Sequence, residues 1–223
     1  PDIYLHMGDM AYSSGTDNEF QERFFDMYQP ILQNTVCWPT MGNHEGKTST
    51  SASESGPYYD AYVLPRAGEA GGLPSGTEAY YSFDYANIHF VVLDSHQSSR
   101  DVDGPMLTWL QEDLEATDQE WLIAYWHHPP YSKGTHDSDT EGALIDMREN
   151  ALPILEAAGV DLVLAGHSHI YERSYLVNGA YDTPTTAEGH ILDSGNGQPG
   201  GDGPYIKKTG LNHNDGAVYI VAG

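Results

Sequence analysis

The sequence predicts an α/β fold with a buried, partly parallel sheet. Short apolar runs typical of strands alternate with segments of helical periodicity along the 223 residues. Polar, Gly-containing motifs follow several of the apolar runs, and in α/β folds such loops meet beyond the carboxyl ends of the strands. Neither an internal repeat nor a change in composition divides the chain, so residues 1–223 are expected to form a single domain.

The N-terminal part begins with a predicted strand at residues 3–7. Apolar residues then recur at helical spacing through residues 17–32, with Asp17 as the expected N-cap. A second strand is expected at residues 35–41. Residues 47–56 are low in complexity and rich in Ser and Thr, and they predict a mobile loop.

The rest of the chain continues this alternation. Apolar runs predict strands at residues 79–85, 88–94, 121–126, 160–165 and 217–223. One helix is expected to start near Gly104. Another is expected at residues 147–158, where Pro153 predicts an irregular first turn or a later start and Gly159 predicts the end. Residues 194–203 hold five glycines and predict an irregular loop.

The charge of the chain excludes several kinds of partner. Lys and Arg number 9 and Asp and Glu number 33, which gives a net charge of −24. A surface this acidic repels nucleic acid and anionic membranes, and no apolar run reaches the roughly 18 residues of a membrane span. We therefore expect no nucleic-acid or membrane partner, and a secreted or periplasmic protein. Cys37, the single cysteine, lies in an apolar run and is expected to be a buried, inert thiol.

Six residues with metal-ligand side chains lie in Gly-containing or strand-end motifs. They are Asp9, Tyr12, Asn43, His127, His167 and His169. One carboxylate, one phenol, one amide and three imidazoles suit a hydrolytic or phosphoryl-transfer centre with two metals, whereas a structural zinc site favours cysteine. The sequence lacks the HExxH, GxSxG, GxxxxGK[ST] and CxxC signatures, which argues against zincin proteases, α/β-hydrolases and P-loop NTPases.

Each motif alone also has a structural interpretation. Asp9 suits a turn or a cap, and a histidine pair at a strand end suits a hydrogen-bonded loop. His167 and His169 are separated by one residue, so in extended chain their rings project to the same side and favour a shared site. In His127-His128 the adjacent side chains face opposite ways, so only one of the two is expected to bind metal.

Tyr12 and two further residues, His44 and His136, suggest the chemistry. The Tyr12 phenol has an unperturbed pKa of about 10, so binding as a phenolate requires a strong Lewis acid such as Fe(III). His44 follows Asn43, and its unperturbed pKa of about 6.5 suits proton transfer. His136 lies in a polar loop, where it is either simply solvated or placed at the open side of the metal pair.

Taken together and in this order, the motifs resemble the metallophosphoesterase (calcineurin-like) superfamily. Gly-Asp-x-x-Tyr at residues 8–12 and Gly-His-x-His-x-Tyr-Glu-Arg at residues 166–173 are similar to the purple acid phosphatases specifically. The resemblance extends from Asp2 to Gly223. It implies a metallophosphoesterase-type β-sandwich flanked by helices.

The resemblance also implies a role for each candidate residue. Asp9 would bridge the two metals, with Fe(III) on one side and divalent Fe, Zn or Mn on the other. The implied ligands of Fe(III) are Tyr12 and His169, and those of the divalent ion are Asn43, His127 and His167. His44 and His136 match positions that the family places near the substrate and the leaving group, and they are the expected catalytic residues.

One feature departs from the family pattern. The family carries an earlier Asp on the strand that precedes Gly8-Asp9, but only eight residues precede Asp9 here, and a parallel neighbour needs a crossover of about a dozen residues. The first strand of the family fold is therefore expected to be missing, and the sequence to be a fragment.

The predicted function is hydrolysis of small phosphomonoesters at a binuclear metal centre. A phosphodiesterase or nucleotidase of the same superfamily is the first alternative. A non-catalytic metal-binding domain with an incomplete site is the second.

Overall fold

The computed structural model describes all residues from 1 to 223. The strands are β1 (Ile3–His6), β2 (Val36–Pro39), β3 (Tyr81–Tyr85), β4 (Ile88–Val92), β5 (Trp121–Trp126), β6 (Leu162–Ala165), β7 (Tyr171–Arg173), β8 (Leu176–Val177), β9 (Ile191–Asp193) and β10 (Val218–Ala222). The α-helices are α1 (Asp17–Phe20), α2 (Asp26–Leu32), α3 (Pro57–Ala61), α4 (Pro105–Ala116), α5 (Gly142–Asp146) and α6 (Leu152–Ala158).

A six-stranded mixed sheet in the order β3-β4-β5-β6-β10-β7 forms the centre of the fold. Its four inner strands are parallel, while β3 and β7 pair antiparallel at the two edges. A separate pair, β1 and β2, is parallel, and β8 and β9 form a small antiparallel sheet. The prediction of a buried, partly parallel sheet is confirmed. β1 pairs with β2 alone, and no strand lies on its other edge.

Two hydrophobic cores cover the opposite faces of the large sheet. Successive strand residues point to opposite faces, so Phe90 of β4 enters one core and Val91 enters the other. The first core contains aromatic residues of β3, β4 and β5 together with Phe20 and Phe24, against which β1 and β2 pack. The second core lies beneath α4 and α6. The large sheet therefore lies between two layers. One layer contains the small β1–β2 sheet and the first helices, and the other contains α4 and α6, which agrees with the expected helix-flanked sandwich.

The first helical stretch covers residues 17–32 as predicted, but its cap is different. Thr16, not Asp17, is the N-cap, because its side chain accepts from the backbone N–H of Glu19 while the Glu19 carboxylate accepts from the backbone N–H of Thr16. A π-helical segment, Gln21–Phe25, joins α1 to α2. Helices as short as α1 and α2 are not stable alone, and Phe20 of α1 and Phe24 of the π-helical segment anchor the stretch in the core.

The second long helical stretch begins earlier than expected. It runs through α5, the π-helical segment Met147–Ala151 and α6. The predicted start at residue 147 is therefore wrong, because α5 precedes it. Pro153 has no N–H to donate and its ring would crowd a preceding carbonyl, and the wider π turn before it accommodates both effects. The stretch ends at Gly159, whose φ of 90° lies in the left-handed region that favours glycine.

Hydrogen bonds fasten the segment that its composition predicts as a mobile loop. The Ser51 hydroxyl donates to Asp94 Oδ2 at 2.8 Å, and the Ser51 N–H donates to Gln97 Oε1 at 2.8 Å. Residues 194–203 have neither helix nor strand, as predicted. Cys37 is half-buried, and burial raises the pKa of its thiol to about 12, which leaves it protonated and unreactive. None of the helices has the length and apolar character needed to cross a lipid bilayer.

Candidate metal centre

The six predicted ligands all follow strands whose carboxyl ends face the same region. Asp9 comes shortly after β1, Asn43 after β2, His127 directly after β5, and His167 after β6. Since β1 is parallel to β2 and β5 is parallel to β6, the loops of each pair leave in the same direction. The packing of the small sheet on the large one then brings the two pairs of loops together.

Three of the predicted ligands form an inner cluster. The Asn43 Oδ1 atom lies 2.9 Å from His127 Nε2 and 3.0 Å from His167 Nδ1, and the two ring nitrogens are 3.2 Å apart. His127 is fully buried, and its Nδ1–H donates to the Met7 carbonyl at 2.7 Å. In the neutral ring this bond leaves the lone pair on Nε2, which points at the amide oxygen. Converging lone pairs of this kind are the arrangement that a cation stabilises.

The other three predicted ligands form an outer cluster. The Tyr12 hydroxyl donates to Asp9 Oδ2 at 3.0 Å and lies 2.9 Å from His169 Nε2. The same Asp9 Oδ2 atom is 3.3 Å from His127 Nε2, so this oxygen contacts both clusters. Asp9 has a φ of 59°, an uncommon conformation for a residue with a side chain, and its approach leaves no room for a Cβ at Gly42.

Burial and neighbouring charges shift the pKa values of these groups. Burial raises the pKa of Asp9, but the hydrogen bond and charge that His127 supplies in its protonated form, together with the backbone N–H of His44, outweigh it, so the pKa falls below its usual range. Burial and the nearby Asp9 carboxylate raise the pKa of Tyr12. Burial, followed by the charges of His127 and His136, lowers the pKa of His167 to about 4. Asp9 is therefore anionic and His167 neutral at neutral pH, the protonation states that metal binding requires.

The two expected catalytic histidines lie on different sides of the clusters. His44 accompanies the outer cluster, where its ring lies 4.1 Å from that of Tyr12 and its Nε2 is 3.9 Å from Asp9 Oδ2. His136 accompanies the inner cluster, and its ring centroid is 3.7 Å from that of His167. Both side chains are partly exposed, so each can reach a molecule that enters from solvent.

The two histidines after β5 contact different partners. His127 reaches Asp9 and Asn43, whereas His128 Nδ1 lies 2.9 Å from the Ser95 hydroxyl and makes no hydrogen bond or ion pair with either residue. The ring nitrogens of His127, His128 and His167 do lie within 4.8 Å of one another, so a metal could also be held there. Burial lowers the pKa of His128 well below its usual value, which keeps this ring neutral.

Glu45 is a residue of the candidate site to which the motifs assigned no role. It is fully buried, and its carboxylate accepts three backbone N–H groups, from Asp9 at 2.8 Å, Ala11 at 2.8 Å and Gly42 at 2.9 Å. The side chain thus joins the loop that carries Asp9 to the loop that carries Asn43. The sequence held one signal, the position of Glu45 directly after the predicted ligand Asn43 and the predicted catalytic residue His44. A glutamate that close to a buried site requires donors to satisfy it.

An open cleft of about 310 Å³ gives access to the clusters. Asp9, Tyr12, His167 and His169 contribute to its walls. Larger clefts of about 400, 450 and 520 Å³ lie elsewhere, beside Tyr131 and Tyr175, beside Trp121 and Lys207, and beside α4 and α6. None of the three contains a cluster of metal-ligand side chains, so the cleft of about 310 Å³ is the candidate site.

The fold and the ordered motifs define a class of protein: the chain belongs to the calcineurin-like phosphoesterase family, whose profile matches residues 1–171. Several curated relatives of the chain are named purple acid phosphatases. The chain is 30% identical to purple acid phosphatase 18 of Arabidopsis thaliana over 82% of this chain and 40% of that protein. It is 30% identical to purple acid phosphatase 15 of the same plant over 96% of this chain and 42% of that protein.

A solved structure supports the same fold. Purple acid phosphatase PPD1 from yellow lupin (Lupinus luteus) seeds matches with a TM-score of 0.61 and 20% identity over 99% of this chain and 36% of that one. In the comparison with the two Arabidopsis proteins, the chain spans about 40% of the length of each relative. The fold class predicted from the sequence is confirmed.

Proposed function

We propose that this chain forms a binuclear metal centre that hydrolyses phosphomonoesters in the manner of a purple acid phosphatase. One observation carries the proposal: Asp9 Oδ2 lies 3.0 Å from the Tyr12 hydroxyl and 3.3 Å from His127 Nε2. A carboxylate oxygen shared by two clusters of ligand-type atoms is the arrangement that bridges two neighbouring ions.

The donor chemistry of the two clusters differs, and so do the ions they suit. The outer cluster contributes an anionic carboxylate and a phenol, which favour a hard, highly charged ion such as Fe(III). The inner cluster contributes an amide oxygen and two imidazoles, which suit divalent Fe, Zn or Mn. We assign Tyr12 and His169 to the ferric side, Asn43, His127 and His167 to the divalent side, and Asp9 to both.

Metal ions held at this centre would supply positive charge to the phosphate oxygens and acidify a water molecule. The chain's own residues would do the rest. His44 donates Nδ1–H to the Ser13 carbonyl at 2.7 Å, which turns its Nε2 towards the site. From there Nε2 can hold a phosphate oxygen or pass a proton to the leaving oxygen. His136 is placed to do the same from the other side.

The acidic chain needs local positive charge to attract an anionic substrate. The net charge of −24 opposes the approach of a phosphate ester. Metal ions would reverse the field inside the cleft. Small phosphate esters could then enter the cleft, while nucleic acid remains repelled by the acidic surface around it.

Metal analysis and colour test the proposal. The chain loaded with iron and zinc should hold about two ions, and a Tyr12–Fe(III) bond should give a visible absorption band. Tyr12→Phe should abolish the band, whereas Tyr171→Phe, a change at an exposed tyrosine outside the clusters, should retain it. A fully loaded, active and colourless wild type would refute the Fe(III)–Tyr12 assignment.

Substrate comparison separates the alternatives. We expect faster turnover of p-nitrophenyl phosphate than of bis(p-nitrophenyl) phosphate. A preference for the diester would replace the monoesterase proposal with a phosphodiesterase. Two bound metals without turnover of either compound would indicate a metal-binding domain with an incomplete site, since residues 1–223 place one carboxylate, one phenol and one imidazole on the ferric side.

A further inference from the structure

The side chain of Glu141 lies between a proposed catalytic histidine and a proposed metal ligand. Its two carboxylate oxygens accept from His136 Nδ1 at 2.9 and 3.0 Å. Oε2 also lies 3.7 Å from His167 Nε2, an ion-pair distance longer than a hydrogen bond. Neither the motifs nor the comparisons give this glutamate a role.

The two nitrogens of His167 face different partners. Nδ1 is directed into the inner cluster, 3.0 Å from Asn43 Oδ1 and 3.2 Å from His127 Nε2. A ring that offers the lone pair of Nδ1 to a metal carries its proton on Nε2, and this is the atom that faces Glu141. A carboxylate in that position orients a ligating imidazole and increases its basicity.

The ring of His136 is constrained from two directions. It lies over the ring of His167, with centroids 3.7 Å apart and planes inclined by 32°. Its Nδ1–H donates to Glu141, so Nε2 is left free.

The backbone holds Glu141 in place. It is the N-cap residue of α5, and its N–H donates to the Asp137 carbonyl at 3.2 Å. The Asp137 N–H in turn donates to Glu141 Oε1 at 3.2 Å. Residues 137–141 thus form a turn closed by a backbone bond, and a carboxylate that leaves His136 also loses its bond from the Asp137 N–H.

We propose that Glu141 is a positioning residue that sets the tautomer and orientation of His136 and supports His167 as a ligand of the divalent ion. The role in catalysis rests on the proposed function, whereas the effect on His136 does not. The ligand atoms of His136, Glu141 and His167 lie within 4.8 Å of one another, so direct binding of a separate ion by these three groups is the competing explanation.

The test uses the full chain with Glu141→Ala, Glu141→Gln and the control Glu149→Ala. Glu149 lies on the same helical stretch, is exposed and accepts from the Thr183 hydroxyl, so its removal reports the general effect of losing one negative charge. Thermal melts of each variant verify folding, which is expected because the Glu141 side chain is 38% exposed.

The first measurement is the tautomer of His136 in the metal-free chain, observed by long-range ¹H–¹⁵N NMR at a pH where the ring is neutral. Wild type and Glu141→Gln should show the proton on Nδ1, because both side chains offer an oxygen acceptor. Glu141→Ala should shift the population towards Nε2–H. An unchanged tautomer in Glu141→Ala overturns the proposal, whatever the enzyme activity.

The second measurement is the affinity for Zn²⁺ alone, determined by competition with a chromophoric chelator. Glu141→Ala should bind zinc about 10- to 100-fold more weakly at unchanged stoichiometry, Glu141→Gln should be intermediate, and Glu149→Ala should match wild type. Loss of one zinc equivalent in Glu141→Ala would make Glu141 a ligand and overturn the positioning role. A wild type that binds no zinc would refute the proposed function, while the tautomer measurement would still decide the role of Glu141.

Discussion

Replacement of Glu45 by glutamine should destabilise the fold and loosen the loops that carry the proposed ligands Asp9 and Asn43. In wild type Oε2 accepts from Asp9 and Gly42 and Oε1 accepts from Ala11, all in a fully buried environment. Glutamine can keep the two bonds at one oxygen, but its NH₂ group then faces the Ala11 N–H, donor against donor. One hydrogen bond to a charged group contributes about 1.5–3 kcal/mol, and the two that remain lose their charge assistance.

The expected loss in the free energy of unfolding is about 3 kcal/mol. For a chain of this length that corresponds to a fall in Tm of about 6–12 °C, measurable by calorimetry. Glu19→Gln is the matched control, because Glu19 also accepts backbone N–H groups, from Ser13, Ser14 and Thr16, but at a partly exposed position where water can replace them. Equal Tm values for the Glu45 variant and wild type, or a larger fall for the control, would refute the reasoning.

Three further outcomes are expected. Gly42→Ala should retain its circular dichroism spectrum but lose zinc binding, because a Cβ there overlaps Asp9; zinc affinity equal to wild type would contradict this. Burial lowers the pKa of His89, but the carboxylates of Asp113 and Asp84 outweigh it and raise the pKa in the folded state. Its stabilisation is therefore complete below the unfolded value of about 6.5 and lost as pH rises through the folded pKa, so urea unfolding from about pH 5 to about pH 9 should show a decline that His89→Gln removes. Removal of metal with a chelator should lower Tm, and zinc at about 100 times its Kd should restore about 2.7 kcal/mol; a Tm indifferent to zinc would count against the centre.

The local sequence pattern predicts an element correctly where the residues of that element alone determine its structure. The strand Trp121–Trp126 was predicted with its observed bounds, because it is a continuous apolar run that ends at a polar motif. The placement of ligand-type residues after strands followed from the same pattern. The N-cap of the first helix is also predictable from the sequence, because Thr16 and Glu19 have the spacing of a capping box. The prediction of Asp17 did not take this spacing into account.

The elements and contacts that the sequence does not predict depend on residues far apart in the chain. The short strands β7, β8 and β9 are too brief to show a period and exist because neighbours pair with them. The bond from His127 to the Met7 carbonyl joins residues 120 positions apart, and Glu45 reaches Ala11 across 34 positions. Glu141 was overlooked for the same reason, since its contact with His167 depends on how two loops meet in space.

The division of the proposed ligands between two sheets would make an occupied metal centre a reversible cross-link. Contacts within it join residues separated by 84, 124 and 157 positions along the chain. A covalent bond that closed loops of this size would restrict the unfolded chain by about 4–5 kcal/mol. A bound ion would act in the same way for as long as it stays. The rate of metal loss would then report how often the small sheet separates from the large one, and weakening the stack of Trp38 on Phe83, whose rings lie 4.0 Å apart between the sheets, would speed the release of an ion that neither ring touches.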